Sequence, residues 1–363
     1  MKEMLAPYIK HKKTGIGNIM LDVIIALVPI VLVAYMAFGV LSLIVILTCV
    51  IACIISDLVF GMIFLKKIPA QLIDGSGIIT GLLLAFTLSP ITPWYVAAFG
   101  ASMSILFGKI LWGGVGKNRF NPALIGRECM VVFFPTIMGS NTMWNLTRYI
   151  DNHKIDFSSF FYSKTFATHI SEWIYHPSGA VGEYSIILIL IGGIYLTFKK
   201  RISWHIPITF LSVIFCLQIL IPQSTEYKFS MEGLLLGSIY MATDMASSPS
   251  HSNGKIYYGG MLGIVVAILL YSGINFAYMS YGILILNGFS TKIGEVFKPI
   301  PWGHRNDLNW ESVFFLSLYI LTTTMAVVSL QYAGLMQLPI YLYIFYMIIK
   351  YHVHNQYKIF QPF

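Results

Sequence analysis

The stretch IMLDVIIALVPIVLVAYMAFGVLSLIVILTCVIACIISDLVFGMIFL, residues 19–65, decides the fold, because Asp22 and Asp57 are its only charged side chains. At roughly 20 apolar residues per crossing it provides two bilayer spans. Both carboxylates stand near span ends, where they can reach the interface. The rest of the 363-residue chain has the same character, 57% hydrophobic and only 10% charged, with a mean hydropathy of +0.74. An ordinary soluble domain is about 25% charged, so this composition excludes a soluble enzyme. The expected fold class is an all-α polytopic membrane protein. Its spans are expected near 19–38, 40–65, 76–90, 93–112, 121–138, 184–198, 204–222, 231–243, 256–273, 275–289, 311–331 and 334–350.

Lysines and arginines tend to stay on the cytoplasmic side. With the N-terminus inside, the inner segments and span ends carry eighteen of them, Lys109 included. The outer segments carry four, Arg148, Lys154, Lys164 and Lys228, and Arg127 is left within a span. Both termini are therefore expected in the cytoplasm. Residues 1–18 read as a basic cytoplasmic lead-in, not a signal peptide, since no small-residue cleavage site follows a short apolar core.

Two spans break the regular pattern. Residues 74–93 are short for a crossing and hold Gly75, Gly77, Gly81, Pro90 and Pro93. Residues 231–244 are equally short and run from Gly233 and Gly237 into Thr243-Asp244. Short, glycine-interrupted segments in two halves of a chain suggest broken helices around a midplane site. The weak likeness of GSGIITGLLLAF (75–86) to EGLLLGSIYMATD (232–244) suggests an inverted internal repeat, against glycine-mediated helix packing as the plainer reading. The outer loop, about 139–183, is long enough to be functional or flexible.

Four polar clusters lie at membrane depth or its edge. The first is Asp74-Gly75-Ser76 with Thr80-Gly81. The second is GGVGKNRFNPALIGRE, 113–128, where Asn121 is expected to cap a helix with Pro122 at its first position. A helix start within a membrane protein turns free N–H groups and partial positive charge toward whatever lies there: a flavin carbonyl, a phosphate or a polar substrate. The plainer alternative is a structural cap. The third is SGAVGE, 178–183, with Gly182 permitting close approach and Glu183 expected in the first turn of the next helix. The fourth is Met241-Ala242-Thr243-Asp244, whose aspartate either helps bind a cation or is solvated at a helix end.

Intramembrane ionisable residues are costly and often functional. Arg127 and Glu128 are adjacent and are expected to point to different helix faces. Cys49, Cys53, Cys129 and Cys216 lie in apolar segments without a CxxC pair, which indicates packing and neither zinc nor disulfides. His352 and His354 read as solvated tail residues. The sequence has no Ser/His/Asp set, dinucleotide fingerprint or nucleotide-triphosphate loop.

The order of motifs carries a resemblance. IMLDVIIALVP (19–29), DGSGIITGLLLAFTLSP (74–90), GGVGKNRFNPALIGR (113–127), FFP (133–135), SGAVGEYSIILILIGGIYL (178–196), MATDMASSP (241–249), GKIYYGGMLGIVVAIL (254–269) and LNGFSTKIGE (286–295) follow one another as in the RnfD/NqrB family. The short IMLDV opening is more similar to the Rnf members than to the NqrB members, which serve the sodium-pumping NADH:quinone oxidoreductase. The resemblance covers roughly 15–303. It sets the expected domains: a lead-in at 1–18, a membrane domain at 19–303, and an additional helix pair and tail at 304–363.

This resemblance implies a urea-transporter-like fold of two inverted five-helix repeats, here with two extra C-terminal helices. It implies a membrane flavoprotein subunit of an Rnf-type complex in a bacterial inner membrane, coupling electron transfer between ferredoxin and NAD to Na+ or H+ translocation. The expected partners are the other subunits, the lipid bilayer and the ion. A subunit of the quinone reductase and a flavin-free channel on the same scaffold are the rival readings. The family also implies FMN on a threonine in a D-x-x-[ST]-G-A-T motif of an outer loop, and riboflavin near the NPAL region. The counterpart here is Tyr162-Ser163-Lys164-Thr165-Phe166-Ala167-Thr168, which points to Thr168 but lacks the aspartate and the glycine. The implied cofactor-binding residues are Thr168 for covalent FMN and Asp74, Asn118, Asn121 and Gly182 around the cavity. Glu128 departs from the family, which usually has a small or apolar residue there.

Overall fold

The computed structural model describes residues 16–66, 68, 74–144, 179–220, 230–274, 277–298 and 309–359. Among the described residues every regular element is helical. The long apolar stretch folds as α1 (Ile16–Phe38) and α2 (Val40–Leu65). The chain reverses between them at Gly39, whose φ of 62° suits a residue without Cβ. The next elements are α3 (Ser76–Phe86), α4 (Trp94–Gly108) and α5 (Pro122–Phe133).

Beyond 178 come α6 (Ile186–Phe198), α7 (His205–Leu220), α8 (Met231–Leu236), α9 (Ser252–Tyr271), α10 (Tyr278–Val296), α11 (Trp310–Tyr332) and α12 (Leu338–Ile359). A π-helical turn, Gly237–Met241, continues α8. Among the described residues, five helices are long and apolar enough to cross a membrane: Gly17–Phe38, Val40–Leu65, Trp94–Trp112, Ser252–Tyr271 and Trp310–Tyr332. The chain is a multi-pass membrane protein.

Both short segments are half-spans. Ser76–Phe86 and Met231–Met241 each have eleven residues, about 16 Å of helix at 1.5 Å per residue and so about half of a bilayer's hydrocarbon core. The expected span at 76–90 stops at Phe86, and the chain turns through Ser89 and Pro90 before α4. The span expected at 121–138 stops at Phe133, because Pro135 disfavours helical backbone at Phe134, which sits at φ −128°, ψ 53°. In contrast, α10 runs past the expected 289 to Val296. Its polar Asn287 and Ser290 are buried, so this part of the helix continues inside the protein.

Small residues set the helix spacing. A Cβ on Gly81 of α3 would stand 2.7 Å from the Val50 Cα of α2, so these backbones touch without an intervening side chain. Gly193 brings α6 equally close to Ile239 of the π turn. In the first half α2 packs on α3 and α4, and α4 packs on α5. In the second, α7 packs on α9, and α9 packs on α10. Cys49 and Cys53 are fully buried, with their sulfurs directed at the Ala97 and Ala101 carbonyls of α4. Cys216 is exposed.

The terminal helices pack against this body. On α11, Ser317 shares a 2.7 Å hydrogen bond with the Tyr257 hydroxyl of α9. On α12, Ile340 and Met347 close an apolar cluster with Phe107, Ile125, Cys129 and Val132.

Candidate functional site

The 112–121 turn joins α4 to α5, and the molecule is tied together there. It begins with Gly113, Gly114 and Gly116 at φ of 107°, 97° and 77°, a left-handed path that L side chains rarely follow. Asn121 ends it as an N-cap: its Oδ1 accepts from the Ala123 N–H at 3.0 Å, with Pro122 at the first helical position. The same side chain donates from Nδ2 to the Met241 carbonyl at 3.1 Å. One amide therefore caps α5 and holds the end of the π turn.

Asn118 makes a second tie. Its Nδ2 donates to Asp244 Oδ2 at 2.9 Å and to the Phe120 carbonyl at 3.3 Å. The Ser247 hydroxyl donates to the same Asp244 oxygen at 2.9 Å. Arg119 donates to the Gly288 carbonyl of α10 at 2.7 Å. Tyr258 and Asn287 extend the network beneath the turn, with a 2.7 Å contact between hydroxyl and amide; turning the Asn287 amide lets it donate to Tyr258 and accept from the Asn121 N–H. The second and fourth sequence clusters, far apart in the chain, are thus one assembly. Asp244 is held by an amide and a hydroxyl and is not a solvated helix end.

The first cluster forms a charged anchor at the N-terminus of α3. Asp74 accepts at Oδ1 from the Ser76 N–H (2.8 Å) and hydroxyl (2.6 Å). The Lys109 ammonium, at the end of α4, donates to Asp57 Oδ2 of α2 at 2.5 Å and to the Ser76 Oγ at 2.7 Å. Asp74 Oδ1 stands 3.9 Å from it. Asp57 and Lys109 side chains are each 6% exposed. One expectation is corrected here: Asp57 turns inward instead of reaching the interface, and Lys109, at its span end, pairs with it. Asp22 does reach the end of α6, where Arg201 holds it at 2.7 Å and Tyr195 at 3.1 Å.

A third polar group lies between α5 and α10. Arg127 donates to the Ser280 hydroxyl at 2.5 Å and also meets Glu128 Oε1 at 3.4 Å. The expectation that adjacent residues face apart fails because the long arginine chain curls back toward the carboxylate. Glu128 is wholly buried. Glu183 precedes α6 instead of opening its first turn, which Ser185 caps by accepting from the Leu188 N–H. The Glu183 carboxylate lies beside Gly233, where a Cβ would be 2.7 Å from Oε1. Gly182 packs directly on Phe86 at the far end of α3, and its N–H donates to the Phe86 carbonyl at 3.0 Å.

These contacts test Asp74, Asn118, Asn121 and Gly182 as a flavin cradle. Both Nδ2 donations from Asn118 and the amide groups of Asn121 go to protein partners, and Gly182 faces a phenyl ring. As arranged, these residues tie helices together. Thr168 and its motif lie outside the described residues.

The sequence pattern of the NQR2, RnfD, RnfE family matches residues 4–303. RnfD of the Na+-translocating ferredoxin:NAD+ oxidoreductase complex of Acetobacterium woodii is 34% identical, over 82% of this chain and 94% of that protein. The D-type component of the proton-translocating ferredoxin:NAD+ oxidoreductase complex of Clostridium ljungdahlii is 29% identical, over 83% and 95%. The D-type component of the ion-translocating oxidoreductase complex of Escherichia coli K12 is 26% identical, over 83% and 97%. The helical membrane scaffold, the two half-spans and the matched sequence agree: this chain belongs to the NQR2, RnfD, RnfE family.

Proposed function

We propose that this chain is the D-type membrane component of an Rnf-like complex, in which electron transfer between ferredoxin and NAD drives Na+ or H+ across a bacterial inner membrane. The observation that carries this reading is 34% identity extending over 94% of a D-type component named for that reaction. The paired half-spans support two inverted five-helix repeats, α1–α5 and α6–α10. The excess of basic residues on one side supports cytoplasmic termini. Membership in the quinone reductase is the less favoured reading, because the named relatives belong to Rnf-type complexes.

In this proposal a flavin is the electron carrier and Thr168 is its covalent attachment point for FMN. The bound flavin would accept and release electrons at the membrane. Asp74, Asn118, Asn121 and Gly182 act by position: they fix the ends of the half-spans and the 112–121 turn. Lys109 keeps the α3 terminus electrically closed. Arg127 and Glu128 link α5 to α10.

Purification from the native membrane tests the reading, with identification of the companions and intact-mass measurement of this chain. The expected result is co-purification with iron–sulfur and flavin proteins and an FMN-sized mass increment lost in Thr168→Val. A colourless protein without redox companions overturns the assignment in favour of a flavin-free channel. Companions without the increment remove only the attachment at Thr168.

A further inference from the structure

The site turn has a brace that comes from outside the matched family region. The family pattern ends at 303, yet α12 reaches back to the 112–121 turn. The Tyr343 hydroxyl accepts from the Trp112 indole N–H at 3.0 Å and donates to the Phe107 carbonyl at 2.9 Å. Its ring meets Phe120 edge-on, with centroids 5.5 Å apart. Two helical turns further along, the Lys350 ammonium stands 3.3 Å from the Trp112 ring centre. These contacts reach both ends of the glycine-rich path.

We propose that Tyr343 and Lys350 are positioning residues for the 112–121 turn, so that an appended helix sets how firmly the candidate site is held. The physical argument begins with the turn itself. Three of its residues are glycines in left-handed conformations and contribute no side chains to fix it. Its stiffness must come from ties at its edges. Asn118, Arg119 and Asn121 supply those facing α8–α10, and α12 supplies those on the opposite flank. Tyr343 suits the task because one hydroxyl satisfies a donor at the turn and an acceptor at the end of α4. Lys350 lays a cation on the indole face, which restrains the ring about which the turn begins. The ties join elements that are otherwise separate in sequence, so their loss frees this turn before it loosens the bundle.

This inference rests on the functional reading only for the meaning of the site; the brace itself is testable without electron transfer. Amide hydrogen exchange is followed in the protein purified from its native membrane with its companions. In Tyr343→Phe, which keeps the ring, exchange across 109–121 is expected to rise about tenfold while α1 and α6 keep their protection. Lys350→Met is expected to give a rise of about threefold, and Lys350→Arg to restore native exchange. Adding Trp112→Phe to Tyr343→Phe is expected to raise exchange by less than the two single variants combined, because both remove one shared bond. Tyr332→Phe, on the exposed end of α11, serves as the control. Unchanged exchange at 109–121, or an equal rise throughout the chain, overturns the proposal. So does full additivity of the Tyr343 and Trp112 variants. Failure of the companions to co-purify would count against the Rnf assignment and leave this result intact.

Discussion

The two half-spans have equal length but are anchored by different chemistry. At α3, a buried ammonium and carboxylate meet over the helix start: Lys109, Asp57 and Ser76, with Asp74 closing the turn. At α8, amide, carbonyl and hydroxyl groups share the work, with Asn121 on Met241 and Asn118 and Ser247 on Asp244. The first anchor concentrates its stability in one pair and fails when either partner is lost. The second spreads it over several modest bonds and adjoins a π turn, a local irregularity often found at functional sites. A membrane transporter needs one part that holds and another that can readjust. The α3 anchor is therefore expected to hold, and the end of α8 and its π turn to open first.

The largest effect is expected at the charged anchor. Lys109→Met removes the cation paired with the buried Asp57 and should lower stability by about 3–5 kcal/mol, as for other broken buried pairs. Removing both charges, with Asp57→Leu added, should recover most of that loss. Detergent-solubilised thermal unfolding measures both, and a single variant as stable as the double one would break the contrast.

A smaller loss is expected on the other side. Asn121→Ala removes the α5 cap and the tie to Met241, at a cost of about 1–2 kcal/mol. Hydrogen exchange near 241–248 should accelerate, with α3 left protected. If α3 loosens equally, the half-spans are one mechanical unit and the comparison fails.

The least effect is expected at the π turn. Tyr240 donates to the Ile189 carbonyl at 3.3 Å, a long bond, and its hydroxyl end packs against Gly192. Tyr240→Phe removes the hydroxyl and keeps the ring, and should cost about 1 kcal/mol or less in the same unfolding assay. A cost matching that of Lys109→Met would show that the hydroxyl, not the ring, secures α6 to α8.

The sequence made the spans legible because uncharged runs have no other stable home than a bilayer. It also showed the Asn121–Pro122 helix start, since capping is a local property of four or five residues. The Lys109–Asp57 pair was not legible: it joins residues 52 apart on two helices, and the periodicity of neither helix names its partner. Asn118 and Asp244 were each singled out, but only the return of α8 to the α5 terminus brings them within hydrogen-bond distance. The π turn carries no distinct residue pattern. The docking of α12 depends on aromatic and lysine side chains that would equally suit a lipid-facing helix. Arg127 misled because side-chain length overrode helix geometry.

The central claim is that this chain works inside a redox-driven ion pump. Inverted membrane vesicles from the native host, with the chain deleted and then restored, test it most directly. Ferredoxin-dependent NAD+ reduction and the accompanying uptake of Na+ or H+ should both vanish on deletion and return together on restoration. Vesicles that reduce NAD+ and accumulate the ion at the original rates without the chain would contradict the account.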